Sequence, residues 1–148
     1  MTRRRTSAAG VEAAPIRAYG LQQTRTLLRR LAYQVNQTAR TGSEDAVHDL
    51  RVSIRRFTQC LRAFEQFIPK NEARKVRHRL KAVMKLAATV RDHDVALDVF
   101  KEAGVPKGAK VLVVLKKQRA QAEKGLLDAI RRSSHDNFSR KWREKLEL

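Results

Sequence analysis

The stretch from Val47 to Arg62, VHDLRVSIRRFTQCLR, writes two stripes onto one helix. At about 100° per residue, Val47, Leu50, Ile54, Phe57 and Leu61 share one face, and His48, Arg51, Arg55 and Arg62 share the face beside it. On an ordinary surface helix the charges gather opposite the apolar stripe, where water solvates them. Here the cations border the core, so they are expected along a seam between packed helices. A seam of that kind suits a polyanion. Cys60 falls outside the main apolar stripe of this helix and reads as a small, partly packed hydrophobe rather than a reactive thiol.

Helical periodicity continues on both sides. Leu21, Thr24, Leu28, Leu31, Val35 and Thr38 recur at steps of three and four and predict a first helix from about Tyr19 to Arg40. Thr41, Gly42 and Ser43 end it, with Ser43 as N-cap of the second helix and Glu44 and Asp45 at its positive end. That helix is expected to run to about Ile68, where Pro69 stops it. Val76, Leu80, Val83, Met84, Ala87 and Val90 mark a third. Arg91-Asp92-His93-Asp94 then reads as a helix start, with Asp92 as cap and Asp94 in the first turn of a short fourth helix over Val95–Phe100 that closes at Gly104. Pro106 and Gly108 punctuate the next loop. Apolar residues at 111, 112, 115, 122, 126, 129 and 130 predict another helix from Val111 to Arg132. Val111 to Leu115 alone would also fit a buried strand, but a single strand has no partner here. Phe138, Trp142 and Leu146 line a last short helix. The expectation is an all-α, antiparallel helical bundle of about five to six helices joined by short loops. It would occupy residues 18–148, preceded by a basic, disordered arm over residues 1–17.

Composition narrows the partners. With 148 residues and 42% hydrophobic content, the chain fits one domain with a modest core. Lys and Arg number 33 against 15 Asp and Glu, a net charge of +18. So much like charge costs stability by self-repulsion unless a polyanion neutralises it. Nucleic acid, inorganic polyphosphate and an anionic membrane surface all qualify. The longest apolar run, Val111 to Leu115, is far too short to span a membrane. Cys60 is the only cysteine, which excludes an intrachain disulfide and points to a reducing compartment. The opening residues, with Arg3, Arg4 and Arg5, hold no apolar segment of signal-peptide length, so a cytoplasmic location is expected; an organelle transit peptide is the other reading of this arm.

Residues 46–62 resemble the opening signature of the CHAD domain, the conserved histidine α-helical domain. The signature has the form V-H-x-L-R-V-x-x-R-R, matched by Val47, His48, Leu50, Arg51, Val52, Arg55 and Arg56. A second block follows in the right order: Leu80-Lys81, then Lys85, then Val90-Arg91-Asp92-x-Asp94-Val95. The resemblance implies a non-enzymatic helical domain that binds inorganic polyphosphate in a groove lined by Arg, Lys and His, and that associates with polyphosphate granules. It implies no cofactor. Carried over by position, the phosphate-contacting residues are His48, Arg51, Arg55 and Arg56 from the first block and Lys81, Lys85 and Arg91 from the second. The helical stripes add Arg62 and Arg77. By spacing, Arg77, Lys81 and Arg91 flank the apolar stripe of the third helix, while Lys85 points further toward solvent.

The sequence departs from the family pattern in three respects. Ala87 and Ala88 stand where Leu-Gly is usual, and His93 where Leu is usual between the two aspartates. The usual domain is also about twice as long, with a second basic bundle related by pseudo-twofold symmetry, so either the half-site works alone or two chains pair as a C2 homodimer. His78, Lys81 and Lys85 echo the spacing of His48, Arg51 and Arg55, but His78 and Lys85 fall opposite the core stripe and read as a solvated basic face.

Residue type sets the chemistry expected of the groove. Guanidinium groups pair two phosphate oxygens at once and stay charged at any physiological pH, whereas lysines add point charges. His48 to Arg62 spans about 21 Å of helix at about 1.5 Å per residue, which favours a chain ligand over a single phosphate. Asp92, His93 and Asp94 invite a metal reading, but the further His and Asp ligands of a metal phosphohydrolase are missing from the pattern, and no Gly-rich phosphate loop or Ser/His/Asp arrangement is present. Sequence-independent, nonspecific nucleic-acid binding is the alternative function, supported by charge. Against it, only 5% of residues are aromatic and none interleaves with the basic stripe to stack on bases. A phosphate-ester or polyphosphate-cleaving enzyme is the third reading; in this family the catalytic domain is a separate one, for which 148 residues leave no room.

Overall fold

The computed structural model describes residues 8–133 and 137–148. Among the described residues five helices form an all-α bundle: α1 (Ala8–Thr41), α2 (Glu44–Ala63), α3 (Lys70–Glu102), α4 (Lys110–Ser133) and α5 (Phe138–Lys145), with a short 3-10 turn over Glu65–Phe67. The predicted stripe of the first helix is buried in full: Leu21, Thr24, Leu28, Leu31, Val35 and Thr38 all face inward. Its two threonines stay satisfied by bonding back to their own helix. Thr24 donates to the Gly20 carbonyl at 2.7 Å, and Thr38 to the Gln34 carbonyl at 2.8 Å.

α2 sits between α1 and α3, and its apolar stripe is the centre of the core. Val47, Leu50, Phe57 and Leu61 are fully buried, and Ile54 nearly so. Ser43 caps the helix by accepting from the Ala46 N–H, with Glu44 and Asp45 in the first turn, as the sequence predicts. Trp142 of α5 stacks on Phe57 with ring centroids 6.4 Å apart, and Phe138 meets Trp142 edge-on, so the last helix closes the base of the core. Cys60 is buried, its Sγ lying 3.3 Å from Thr24 Oγ1. It sits at the α1 contact and not outside the packed surface, because α2 buries a wider arc than its central stripe.

Four boundaries differ from expectation. α1 opens at Ala8, so residues 8–17 of the expected disordered arm are helical; Arg3, Arg4 and Arg5 lie outside the described residues. This segment is rich in alanine, the strongest helix former, and Pro15 inside the helix removes one hydrogen bond without ending it. α2 ends at Ala63, ahead of Pro69, where Phe64 leaves helical geometry and the 3-10 turn takes over. The predicted third and fourth helices are one continuous α3. Nothing between Val90 and Val95 breaks a helix, so Asp92 is an exposed mid-helix residue and not a cap, and Asp94 is buried. The true end comes at Gly104, in the left-handed region at φ +76°. There the Val105 N–H reaches the Phe100 carbonyl and the Gly104 N–H reaches the Lys101 carbonyl, a Schellman closure. Val111–Leu115 is helical, with Leu112 buried and Val111, Val113 and Val114 exposed.

Asp94 belongs to a polar knot that joins three parts of the bundle. Arg119 of α4 donates to Asp94 Oδ1 at 2.9 Å, to Glu123 one turn along its own helix, and to the Gly42 carbonyl at 2.9 Å in the α1–α2 turn. Burial lowers the tendency of this guanidinium to stay charged, but the hydrogen bond and charge of Asp94, with those of Glu123, more than offset it and raise its pKa. Gly42 has φ +56°, and a Cβ there would strike the Glu123 carboxylate. Two substitutions test this assignment. Asp92→Ala is expected to change stability by less than about 0.5 kcal/mol, where loss of a true cap costs about 1. Asp94→Ala leaves a largely buried Arg119 with only its other two acceptors and is expected to cost on the order of 2–3 kcal/mol in urea denaturation.

Candidate functional site

Burial of the α2 stripe against α1 and α3 forces the neighbouring cations to a flank. On the side facing α3, the two helices leave an open cleft of about 720 Å³. Arg55 and Arg62 enter it from α2, and Arg74, Arg77, Lys81 and Lys85 from α3. Ile54, Met84 and Ala88 form apolar patches of its wall, and Thr58, Gln59 and His78 complete the lining. No carboxylate lines it. Among the described residues none of its six Arg and Lys side chains is ion-paired, although the protein does pair other cations. Arg74 bonds only the neutral Asn71 side chain, at 2.7 Å. Like charges are thus held side by side with no internal counter-ion; Arg77 is half-buried and the other five are exposed in the open cleft.

Five of the nine residues singled out from sequence meet here: Arg55, Arg62, Arg77, Lys81 and Lys85. Lys85 and His78 are exposed, as expected of a solvated basic face, and that face borders the open cleft. The wall of an open cleft extends well past the packed seam, so positions far from the core stripe still border it. Arg74 was missed altogether. Its signal was present in the spacing, since 74, 77, 78, 81 and 85 fall on one helical face.

The remaining four lie elsewhere. Arg91, one end of the second sequence block, is half-buried and donates from Nη1 to Glu44 Oε1 at 2.8 Å, tying α3 to the first turn of α2. Arg51 is half-buried, and its Nε is buried without a hydrogen bond in the structure. His48 is exposed on α2, one turn before Arg51. Arg56 turns to the opposite flank of α2, beside Arg29, Arg30 and Asp49. The signature arginines 55 and 56 therefore serve different surfaces, as adjacent helical positions about 100° apart must.

His93 and Asp94 do not converge on a common point: His93 Nδ1 meets the Thr89 carbonyl at 2.8 Å, while Asp94 meets Arg119. Among the described residues no group of His, Cys, Asp or Glu side chains is placed to hold a metal ion. Nor is any described helix long and apolar enough to cross a membrane.

The Glu44 carboxyl holds its proton more tightly than an ordinary glutamate. A hydrogen bond shared with Asp98 raises its pKa first, burial adds to that, and Arg91 pulls it back only in part. A carboxyl that holds its proton more tightly folded than unfolded stabilises the fold at low pH and loses that contribution as pH rises above its ordinary 4.5. Relative to Glu44→Gln, wild type is therefore expected to lose stability as pH climbs from 4.5 toward neutrality. Parallel urea-midpoint curves for the two proteins would contradict this.

The comparisons with known proteins bear on the whole of this architecture. No curated protein and no solved structure matches the chain. The family model of the CHAD domain matches residues 22–148, from the second half of α1 through α5, including both helices that build the cleft. By that match the chain belongs to the CHAD domain family.

Proposed function

We propose that this protein binds inorganic polyphosphate along the α2–α3 cleft and does not cleave it. The observation that carries the reading is the gathering of six unpaired Arg and Lys side chains in one cleft that no carboxylate enters. A polyphosphate chain offers a closely spaced row of anionic oxygens and nothing else to recognise. Charge-assisted hydrogen bonds from arginine, with lysines beside them, answer that chemistry directly. Polymer binding would relieve the repulsion among the cleft cations, and the energy of that relief would appear as added stability of the fold. The cleft also supplies no aromatic platform of Phe, Tyr or Trp, which argues for the inorganic polymer over a nucleic acid at this site. Non-enzymatic sequestration in the cytoplasm, including association with polyphosphate granules, is the cellular role that follows.

A competition titration near physiological salt tests the reading. Fluorescent long-chain polyphosphate is displaced by unlabelled polyphosphate or by duplex DNA at matched phosphate concentration. Preference for polyphosphate by about tenfold or more, about 1.4 kcal/mol, is expected of a shaped cleft; equal displacement would reduce the site to undirected charge. Reversing Arg55 and Lys81 to Glu is expected to abolish polyphosphate binding with helicity intact, since both side chains are exposed and pack no core.

A twofold pair of chains, joining two clefts into a longer groove, is part of the same proposal. Sedimentation at micromolar concentration should then show a dimer in the presence of the polymer. A monomer both with and without it removes the pairing and leaves the single cleft as the functional unit.

A further inference from the structure

Arg56 is a signature arginine that the α2–α3 cleft does not use. On its own flank of α2 it joins Arg29, Arg30 and Tyr33 of α1 around a cleft of about 350 Å³. Arg29 is shared with a neighbouring cleft of about 490 Å³, where Arg25 of α1 faces Arg140 and Arg143 of α5. The two clefts adjoin across Arg29 as one basic track along α1, and no residue of the track lines the α2–α3 cleft. From Arg25 to Tyr33 the track follows α1 for about 12 Å at about 1.5 Å per residue. Among the described residues, Arg29, Arg30 and Arg56 have no ion-pair partner.

The track differs from the α2–α3 cleft in what stands beside the cations. Tyr33 is 59% exposed. The other exposed tyrosine, Tyr19, packs edge-on against Phe64, but Tyr33 makes no ring–ring contact among the described residues, so no aromatic partner occupies its face. Asp49 lines the same cleft and Gln34 lies next to Tyr33. A polyphosphate chain has only acceptor oxygens and no flat face, so it gains nothing from Tyr33 and is repelled by Asp49. A nucleotide strand uses all of these groups. Its phosphates meet the arginines, an unpaired base stacks on the tyrosine ring, and an N–H of the base, such as the ring N3–H of uracil, donates to the carboxylate or the amide oxygen. Bases paired in a duplex are buried in their own stack and cannot reach Tyr33.

We propose that the track formed by Arg25, Arg29, Arg30, Arg56 and Tyr33 is a binding site for single-stranded nucleic acid, separate from the α2–α3 cleft. The protein then holds a nucleic-acid strand and an anionic polymer at once, on two flanks of α2. The arginines supply salt-dependent, sequence-independent affinity, and Tyr33 supplies the preference for unpaired bases.

Fluorescence anisotropy with a labelled oligouridylate, run beside the same measurement with labelled polyphosphate, tests the proposal. Tyr33→Ala, at an exposed position that leaves the core untouched, is expected to weaken oligouridylate binding by about fivefold or more and to leave polyphosphate binding unchanged. Arg29→Glu with Arg30→Glu is expected to remove most oligouridylate binding, whereas Arg55→Glu with Lys81→Glu spares it. Circular dichroism confirms that each variant is folded. If Tyr33→Ala leaves oligouridylate affinity unchanged, or if only the Arg55 and Lys81 reversal abolishes it, the nucleic-acid track is overturned. Failure of that second reversal to affect polyphosphate overturns the cleft assignment instead, so the two readings fail separately.

Discussion

Phe57, Val47, Leu50 and Leu61 disappear completely into the core from one side of α2, and the placement of every cation on that helix follows from it. A fully buried apolar side chain contributes on the order of 1.5–3 kcal/mol, so four of them fix the rotation of α2 about its axis far more firmly than its surface charges can. Once that rotation is fixed, Arg55 and Arg62 must face α3 and Arg56 must face α1. α3 has the same problem to solve. Its buried Val76, Leu80, Ala87 and Val90 leave Arg77, Lys81 and Lys85 to the cleft side. Two helices oriented by their apolar stripes thus bring together cations that would otherwise repel one another apart.

The ends of these helices are held by charge pairing of a different kind. Arg119 ties the α1–α2 turn, α3 and α4 together through Gly42, Asp94 and Glu123, and Arg91 ties α3 to Glu44 at the start of α2. Acidic side chains are scarce in a chain with 15 Asp and Glu against 33 Lys and Arg. Several of the carboxylates near the bundle's centre are committed to these ties. The cleft cations have no ion-pair partner among the described residues, since Glu44, Asp94 and Glu123 hold the frame and no carboxylate lines the groove.

Much of this was legible in the sequence because it rests on periodicity. The stripes of α1, α2 and α5 are buried as their spacing predicts, and the Ser43 cap is where residue type puts it. The errors have a common source. Arg91-Asp92-His93-Asp94 has the local composition of a helix start, because aspartate is a good cap, but the role of Asp94 is set by Arg119, 25 residues away, which no local pattern displays. A stripe gives the centre of a buried or cleft-facing arc but not its width, which depends on how closely the next helix approaches, so the spacing leaves open that α1 covers Cys60 and that exposed His78 borders the cleft. Arg56 was grouped with Arg55 by sequence motif, and three-dimensional geometry separates them.

That separation bears on how a protein of +18 can be both stable and selective. Net charge alone attracts any polyanion, and its pull falls with salt in the same way for all of them. Discrimination has to come from groups other than the cations. In the α2–α3 cleft those groups are Ile54, Met84, Ala88, Thr58, Gln59 and His78, with no Phe, Tyr or Trp ring and no carboxylate among them. Beside α1 they are Tyr33, Gln34 and Asp49, which reward a base and penalise a bare phosphate chain. The same arginine side chain can therefore serve two chemically distinct ligands, because what stands next to it decides which anion gains more than charge neutralisation.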